Sequence, residues 1–229
     1  MFRVYIKIYL FWIAMILPAF CMADLAVTDF VEGKQYERVA PDIISHKNVQ
    51  EFIAQNTDKI QVLEFFSYAC YGCSQVHPIL TEWDKEKPKN VVFYRFPLGF
   101  NPQWNVLAKA YYVAKELNQL ETFDAKFFKA IHIDHVNLST DELVKKYFMA
   151  EGVPEKSVED AYRSFNVNRE LAKAATMADA YRISLSPVVI INGPSGSYIL
   201  NAKMAGGKEG FVKIINYLIE RESAKLPGS

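Results

Sequence analysis

Between Ile60 and Phe66 the chain is apolar at every position except Gln61 and Glu64. A run this short and this apolar predicts a strand covered on both faces. The period then changes: Val76, Ile79, Leu80 and Trp83 recur at i, i+3, i+4 and i+7. That spacing predicts a helix from about Cys70 to Lys87 with one side turned inward. Pro78 falls inside it, removes one backbone donor and predicts a kink. Val91 to Phe96 is a second strand pattern, closed by Pro97 and Gly99. Strand, helix and strand make a βαβ unit. Upstream, Asp24 to Gly33 reads as an extended lead-in and Tyr36-Glu37-Arg38-Val39 as a short strand. Val49, Phe52 and Ile53 predict one short helix between Pro41 and Asn56.

Helical spacing takes over after Gly99. Val106, Ala110, Val113 and Leu117 line one predicted helix, and Phe123, Phe127, Ala130 and Ile131 a second. Ser139-Thr140-Asp141-Glu142 reads as the capping-box start of a third, with Leu143, Tyr147 and Phe148 inward. Pro154 opens a fourth at a first-turn position. Val167, Leu171, Ala174, Ala178 and Tyr181 mark a long fifth. Strand signals return at Val188-Val189-Ile190-Ile191, led by Ser186-Pro187. Asn192-Gly193-Pro194-Ser195-Gly196 is a dense turn cluster, so Ser197 to Leu200 is the partner strand of a hairpin. A last helix, from about Lys208 to Ser223, carries Phe211, Ile214, Ile215, Leu218 and Ile219 on one face. The order is βαβ, a helical block, then ββα.

The first residues change the picture of where the chain works. Arg3 and Lys7 stand alone among uncharged residues up to Ala23, and an apolar run from Ile8 to Phe20 ends at Cys21-Met22-Ala23. Basic start, short apolar core and small residues before a cut are the marks of a secretory signal peptide over 1–23, cleaved after Ala23. The run is short for a membrane span of about 20 residues. An uncleaved anchor and a lipidated Cys21 are the other readings, the latter opposed by the bulky Phe20. Without Arg3 and Lys7 the 26 basic residues become 24 against 26 acidic ones, a net charge of about −2. Nothing in that balance suggests nucleic acid or an anionic membrane surface. The remaining 206 of 229 residues fit one large domain, or one domain with an insertion.

Export puts the remaining cysteines, Cys70 and Cys73, in an oxidising compartment. A bridge across two intervening residues restrains little of the unfolded chain, which argues against a structural staple. Both fall at the start of the predicted helix, where unpartnered N–H groups and the positive end of the dipole stabilise a thiolate. Cys70 at the helix mouth is the exposed sulfur, attacked and later released. Cys73, one turn further in, is the resolving one. An inert disulfide is the bland alternative. A zinc site is another, but it needs about four ligands. The nearest pair, His132 and His135, sits at a predicted helix-to-loop junction as surface or packing residues. No metal or cofactor is expected. Pro187 reads locally as a strand-start proline, whose missing N–H costs the ladder nothing; the other reading is a cis Ser186–Pro187 bond.

βαβ plus ββα, with Cys-X-X-Cys at the first helix, resembles the thioredoxin fold. The helical block between the halves, together with Glu32-Gly33-Lys34-Gln35-Tyr36, Gln61-Val62-Leu63-Glu64-Phe65-Phe66-Ser67, Cys70, Cys73 and Pro187 with Val188 to Gly193, resembles the DsbA family of periplasmic thiol–disulfide oxidoreductases. The likeness implies an α/β thioredoxin fold with an inserted helical domain: 24–102 and 175–229 as the discontinuous thioredoxin-like part, and 103–174 as the insert. It implies that Pro187 is cis and faces the cysteines, and that Ser186 offers its backbone to a substrate strand. Glu64 matches a buried acid beneath the site, with Arg95 as its basic partner. The implied reaction is disulfide donation to exported proteins still folding, with reoxidation by a DsbB-like membrane protein. The rival readings are an isomerase or reductase kept reduced, and a chaperone-like binding protein with incidental thiols. Oligomeric state is not legible. The chain departs from the family's Pro-His dipeptide, having Tyr71-Gly72 between its cysteines. Without that imidazole, the Cys70 pKa is expected above the value of about 3.5 that is the type case in the family. Tyr68, Tyr71, Phe100 and the Pro187 loop are expected to form a shallow apolar surface for unfolded chains.

Overall fold

The computed structural model describes residues 30–226. The predicted leader, its cleavage after Ala23 and Cys21 lie outside the described residues. Among those described, one five-stranded sheet has the order β1-β5-β4-β2-β3. Its centre is β2 (Ile60–Phe66), in which every residue is buried. β2 runs parallel to β3 (Val91–Pro97) and antiparallel to β4 (Val188–Gly193). β5 (Gly196–Asn201) returns from β4, and β1 (Glu37–Arg38) closes that edge.

Alternate residues of a strand face opposite ways, so β2 feeds two cores. Ile60 and Val62 meet Val76, Leu80 and Trp83 of α3 (Tyr71–Glu86), and Phe211, Ile214, Ile215 and Leu218 of α9 (Lys208–Ser223). Leu63 and Phe65 meet the helices on the other face. Five helices, all among the described residues, separate β3 from β4. They are α4 (Pro102–Glu116), α5 (Leu120–His132), α6 (Asp141–Ala150), α7 (Glu155–Arg163) and α8 (Phe165–Ala180). α4 packs against the other four, and α8 returns to touch β3.

Three details differ from the sequence expectation. The stretch after Pro41 holds two helices, α1 (Pro41–Ile44) and α2 (Lys47–Ile53), followed by a short 3-10 turn at Ala54–Asn56. The chain breaks at Ser45 and restarts where the His46 side chain accepts the Asn48 N–H at 3.3 Å. Pro154 is the N-cap of α7, not its first-turn residue. In α6 the fully buried residues are Val144 and Phe148, with Leu143 and Tyr147 only half-buried. α3 remains one helix through Pro78, held on both sides of it by buried Val76, His77, Leu80 and Trp83.

Candidate active site

β2 ends at Phe66, and four residues later Cys70 caps α3. The Cys70 backbone is extended, with φ −84° and ψ 115°, and its Sγ accepts the Cys73 N–H at 3.2 Å. An N-cap side chain normally supplies an oxygen for this duty; here a sulfur does. Cys70 is half-buried and Cys73 fully buried, and both are free thiols. The far half of the chain completes the site. The Ser186–Pro187 peptide is cis. The Ser186 carbonyl accepts from the Cys70 thiol at 3.4 Å, and the Ser186 hydroxyl lies 2.9 Å from Cys73 Sγ. Pro187 is buried against the cysteine turn, so close that a β-carbon on Gly72 would lie 3.1 Å from Pro187 Cδ.

These contacts divide the two sulfurs. The hydrogen bond from Cys73 is the largest influence lowering the Cys70 pKa. Ser186 and the backbone N–H groups of Cys73 and Gly72 add to it, and burial opposes them, leaving Cys70 at about 6. Burial pushes Cys73 the other way, and a neighbouring Cys70 thiolate adds to that. Cys70 therefore ionises first and Cys73 stays a thiol. A thiolate at neutral pH is both a nucleophile and a good leaving group.

A buried ionic cluster joins β2, β3, α3 and α5. Glu64 on β2 is fully buried, and Arg95, its register partner on β3, donates from Nε to Glu64 Oε2 at 2.6 Å. Arg95 also pairs through Nη1 with Asp124 of α5, and its guanidinium lies 4.2 Å over the Phe66 ring. Tyr68 donates to Asp124 Oδ1 at 2.7 Å, and His77 Nδ1 of α3 is 3.6 Å from Asp124 Oδ2. Burial raises the Glu64 pKa, opposed by Arg95. Burial also lowers His77 to about 4, so it is neutral at pH 7.

Tyr68 corrects the expected apolar surface: it is 1% exposed, because its hydroxyl is drawn inward to Asp124. Tyr71, at 68% exposed, and Phe100, at 45%, are on the surface. His132 ends α5, half-buried, with Nε2 2.7 Å from the Tyr68 carbonyl, whereas His135 is exposed in the following loop. Among the described residues no group of three or more His, Cys, Asp or Glu side chains is arranged to hold a metal ion. Sequence reasoning missed Asp124 and His77. The available signal was spacing: Asp124 stands four residues before buried Phe128, and His77 three before buried Leu80, so both share a face with inward residues.

No protein-family model matches the chain. It is 33% identical over 199 residues to the thiol:disulfide interchange protein DsbA of Azotobacter vinelandii, covering 84% of this chain and 91% of that one. It is 30% identical to the DsbA of Pseudomonas aeruginosa, covering 86% and 87%. The crystal structure of Pseudomonas aeruginosa DsbA superimposes with a TM-score of 0.73 at 29% identity, covering 86% of this chain and 96% of that one.

Proposed function

The chain belongs to the DsbA family of thiol:disulfide oxidoreductases, and from that premise we propose that Cys70 and Cys73 are its redox pair, with Cys70 meeting the substrate. The observation that carries this reading is the division of the two sulfurs. One is half-buried, holds a helix N–H and has its pKa lowered to about 6; the other is buried with its pKa raised.

In the oxidised protein, a substrate thiolate attacks Cys70 Sγ of the Cys70–Cys73 bond and Cys73 leaves with the electron pair. The substrate's second thiolate then attacks its own sulfur in that mixed disulfide and expels Cys70. The substrate gains a disulfide and the enzyme becomes the dithiol. Departure of Cys70 is favoured because its thiolate is already stabilised. The Ser186 backbone, next to buried Pro187, is the edge along which the substrate segment lies as an added strand. Tyr71 and Gly72 shape the turn, and the Glu64–Arg95 pair fastens β2, the strand that leads into it, to β3. The substrates are exported proteins with free thiols, encountered in the periplasm after cleavage behind Ala23. A DsbB-like membrane protein takes the electrons onward. Among the described residues no helix is long and apolar enough to cross a membrane.

The test is oxidation of a reduced, unfolded protein by the purified oxidised form. Cys70→Ser is expected to abolish disulfide formation while leaving far-UV circular dichroism unchanged. Retained oxidation by that variant would exclude Cys70 as the reacting sulfur.

A further inference from the structure

We propose that His132, the last residue of α5, is a positioning residue of the exchange: it holds the Tyr71 ring in place beside Cys70, where that ring receives the substrate chain. The proposal rests on the redox pair assigned above and adds to it a residue from the helical block.

His132 touches the cysteine turn on both sides of Cys70. Its Nε2 lies 2.7 Å from the Tyr68 carbonyl. A carbonyl oxygen only accepts, so Nε2 carries the proton and donates. The same ring meets Tyr71 edge-on, with centroids 6.0 Å apart. It also stacks on Phe128, which is buried and packs against Tyr68 and His77. The imidazole is thus anchored on the core, fastened to the backbone ahead of Cys70 and in ring contact with the residue after it.

Tyr71 needs such a hold. It is the exposed aromatic next to the sulfur that the substrate attacks, and among the described residues His132 is its only ring partner. An exposed phenol offers a large apolar face to the side chains of an unfolded protein. A ring free to turn must be ordered at each encounter, and that ordering weakens binding. His132 orders it beforehand. The ionisation of Cys70 is governed by other groups: Cys73, Ser186 and the backbone N–H of Gly72 lower its pKa, and His132 is not among them. Loss of His132 therefore separates capture of a protein substrate from the chemistry of the sulfur.

The experiment compares two thiols. Oxidised wild type, His132→Leu and His132→Gln are mixed with a reduced, unfolded protein and, separately, with reduced glutathione. His132→Leu is expected to lose about three- to tenfold in kcat/KM on the protein, the factor for ordering one side chain. Its rate with glutathione and the thiolate midpoint of its reduced form are expected to match the wild type. His132→Gln, whose amide nitrogen falls where Nε2 stands, is expected to keep most of the wild-type rate on the protein. In a Tyr71→Ala background, His132→Leu is expected to cost nothing more. Should His132→Leu not fold, His132→Asn, too short to reach the Tyr68 carbonyl, takes its place. Equal losses with both thiols, no loss with either, or a full loss persisting without Tyr71 would each overturn the proposal. A wild-type protein that oxidises neither thiol would overturn the redox assignment itself, so the two failures are distinguishable.

Discussion

Gly72 governs Cys70 by what it lacks. It occupies the position where the family's Pro-His dipeptide presents an imidazole, and its bare α-carbon lets the Pro187 ring settle on the turn. A β-carbon there would meet Pro187 Cδ at 3.1 Å and Cys70 Sγ at 3.8 Å. Any side chain at 72 must move the proline ring by a few tenths of an ångström. In exchange, it would project toward the sulfur. Gly72→His is therefore expected to lower the Cys70 pKa from about 6 by about one unit or more, the effect of an opposite charge at short range. Thiolate absorbance of the reduced variant, followed against pH, measures the midpoint. A midpoint equal to or above that of the wild type would show that the imidazole does not reach the sulfur. At this scale the cysteines were legible, since their spacing and the preceding strand are local signals. Tyr68 was not, because a phenol in an apolar run looks alike whether its hydroxyl faces water or a buried carboxylate.

Among the elements, the joint between β3, α3 and α5 is held by charge. Arg95 reaches from the edge strand to Glu64 on β2 and to Asp124 on α5, and Asp124 also engages Tyr68 and His77. Removing the cation leaves two carboxylates in a nearly closed site. Arg95→Met is expected to destabilise the protein by about 3–5 kcal/mol, the cost of breaking a buried pair from one side. The double variant Arg95→Met with Glu64→Gln should lose less than the two single effects summed, because the substitutions share one network. Urea unfolding of the four proteins decides it; strict additivity would mean the groups are not coupled. This joint was half-legible. Glu64 and Arg95 stood out as polar breaks in apolar strands, and the family likeness suggested their pairing. The third member lies on a helix whose register against the sheet is a tertiary fact. The split of the Pro41 to Asn56 stretch was hidden for a local reason: Ser45 and His46 are cap residues inside what reads as one helical pattern.

For the whole molecule, the periodicities gave the order of elements apart from the split between Pro41 and Asn56, because each strand or helix buries one face and must repeat accordingly. What they could not give is how the ends meet, which depends on β4 entering beside β2 in one particular register. One property of the assembled fold follows from Cys70. An ordinary thiol has a pKa of about 8.5, and in the folded reduced protein Cys70 is at about 6. A depressed pKa adds stability that is complete above the unfolded value and is lost as pH falls through the folded one. The reduced wild type is thus expected to lose stability relative to Cys70→Ser as pH is lowered from about 9 to below about 6. Urea midpoints of both proteins across that range check it. A difference between them that does not change with pH would contradict the depressed pKa.

The contact between Cys70 and Ser186 spans 116 positions of the chain. A polypeptide interrupted between residues 73 and 186 holds both thiols but not the Ser186–Pro187 loop that closes over them. Such a fragment keeps the Cys73 N–H on Cys70 Sγ but loses the contacts that Ser186 makes with both sulfurs.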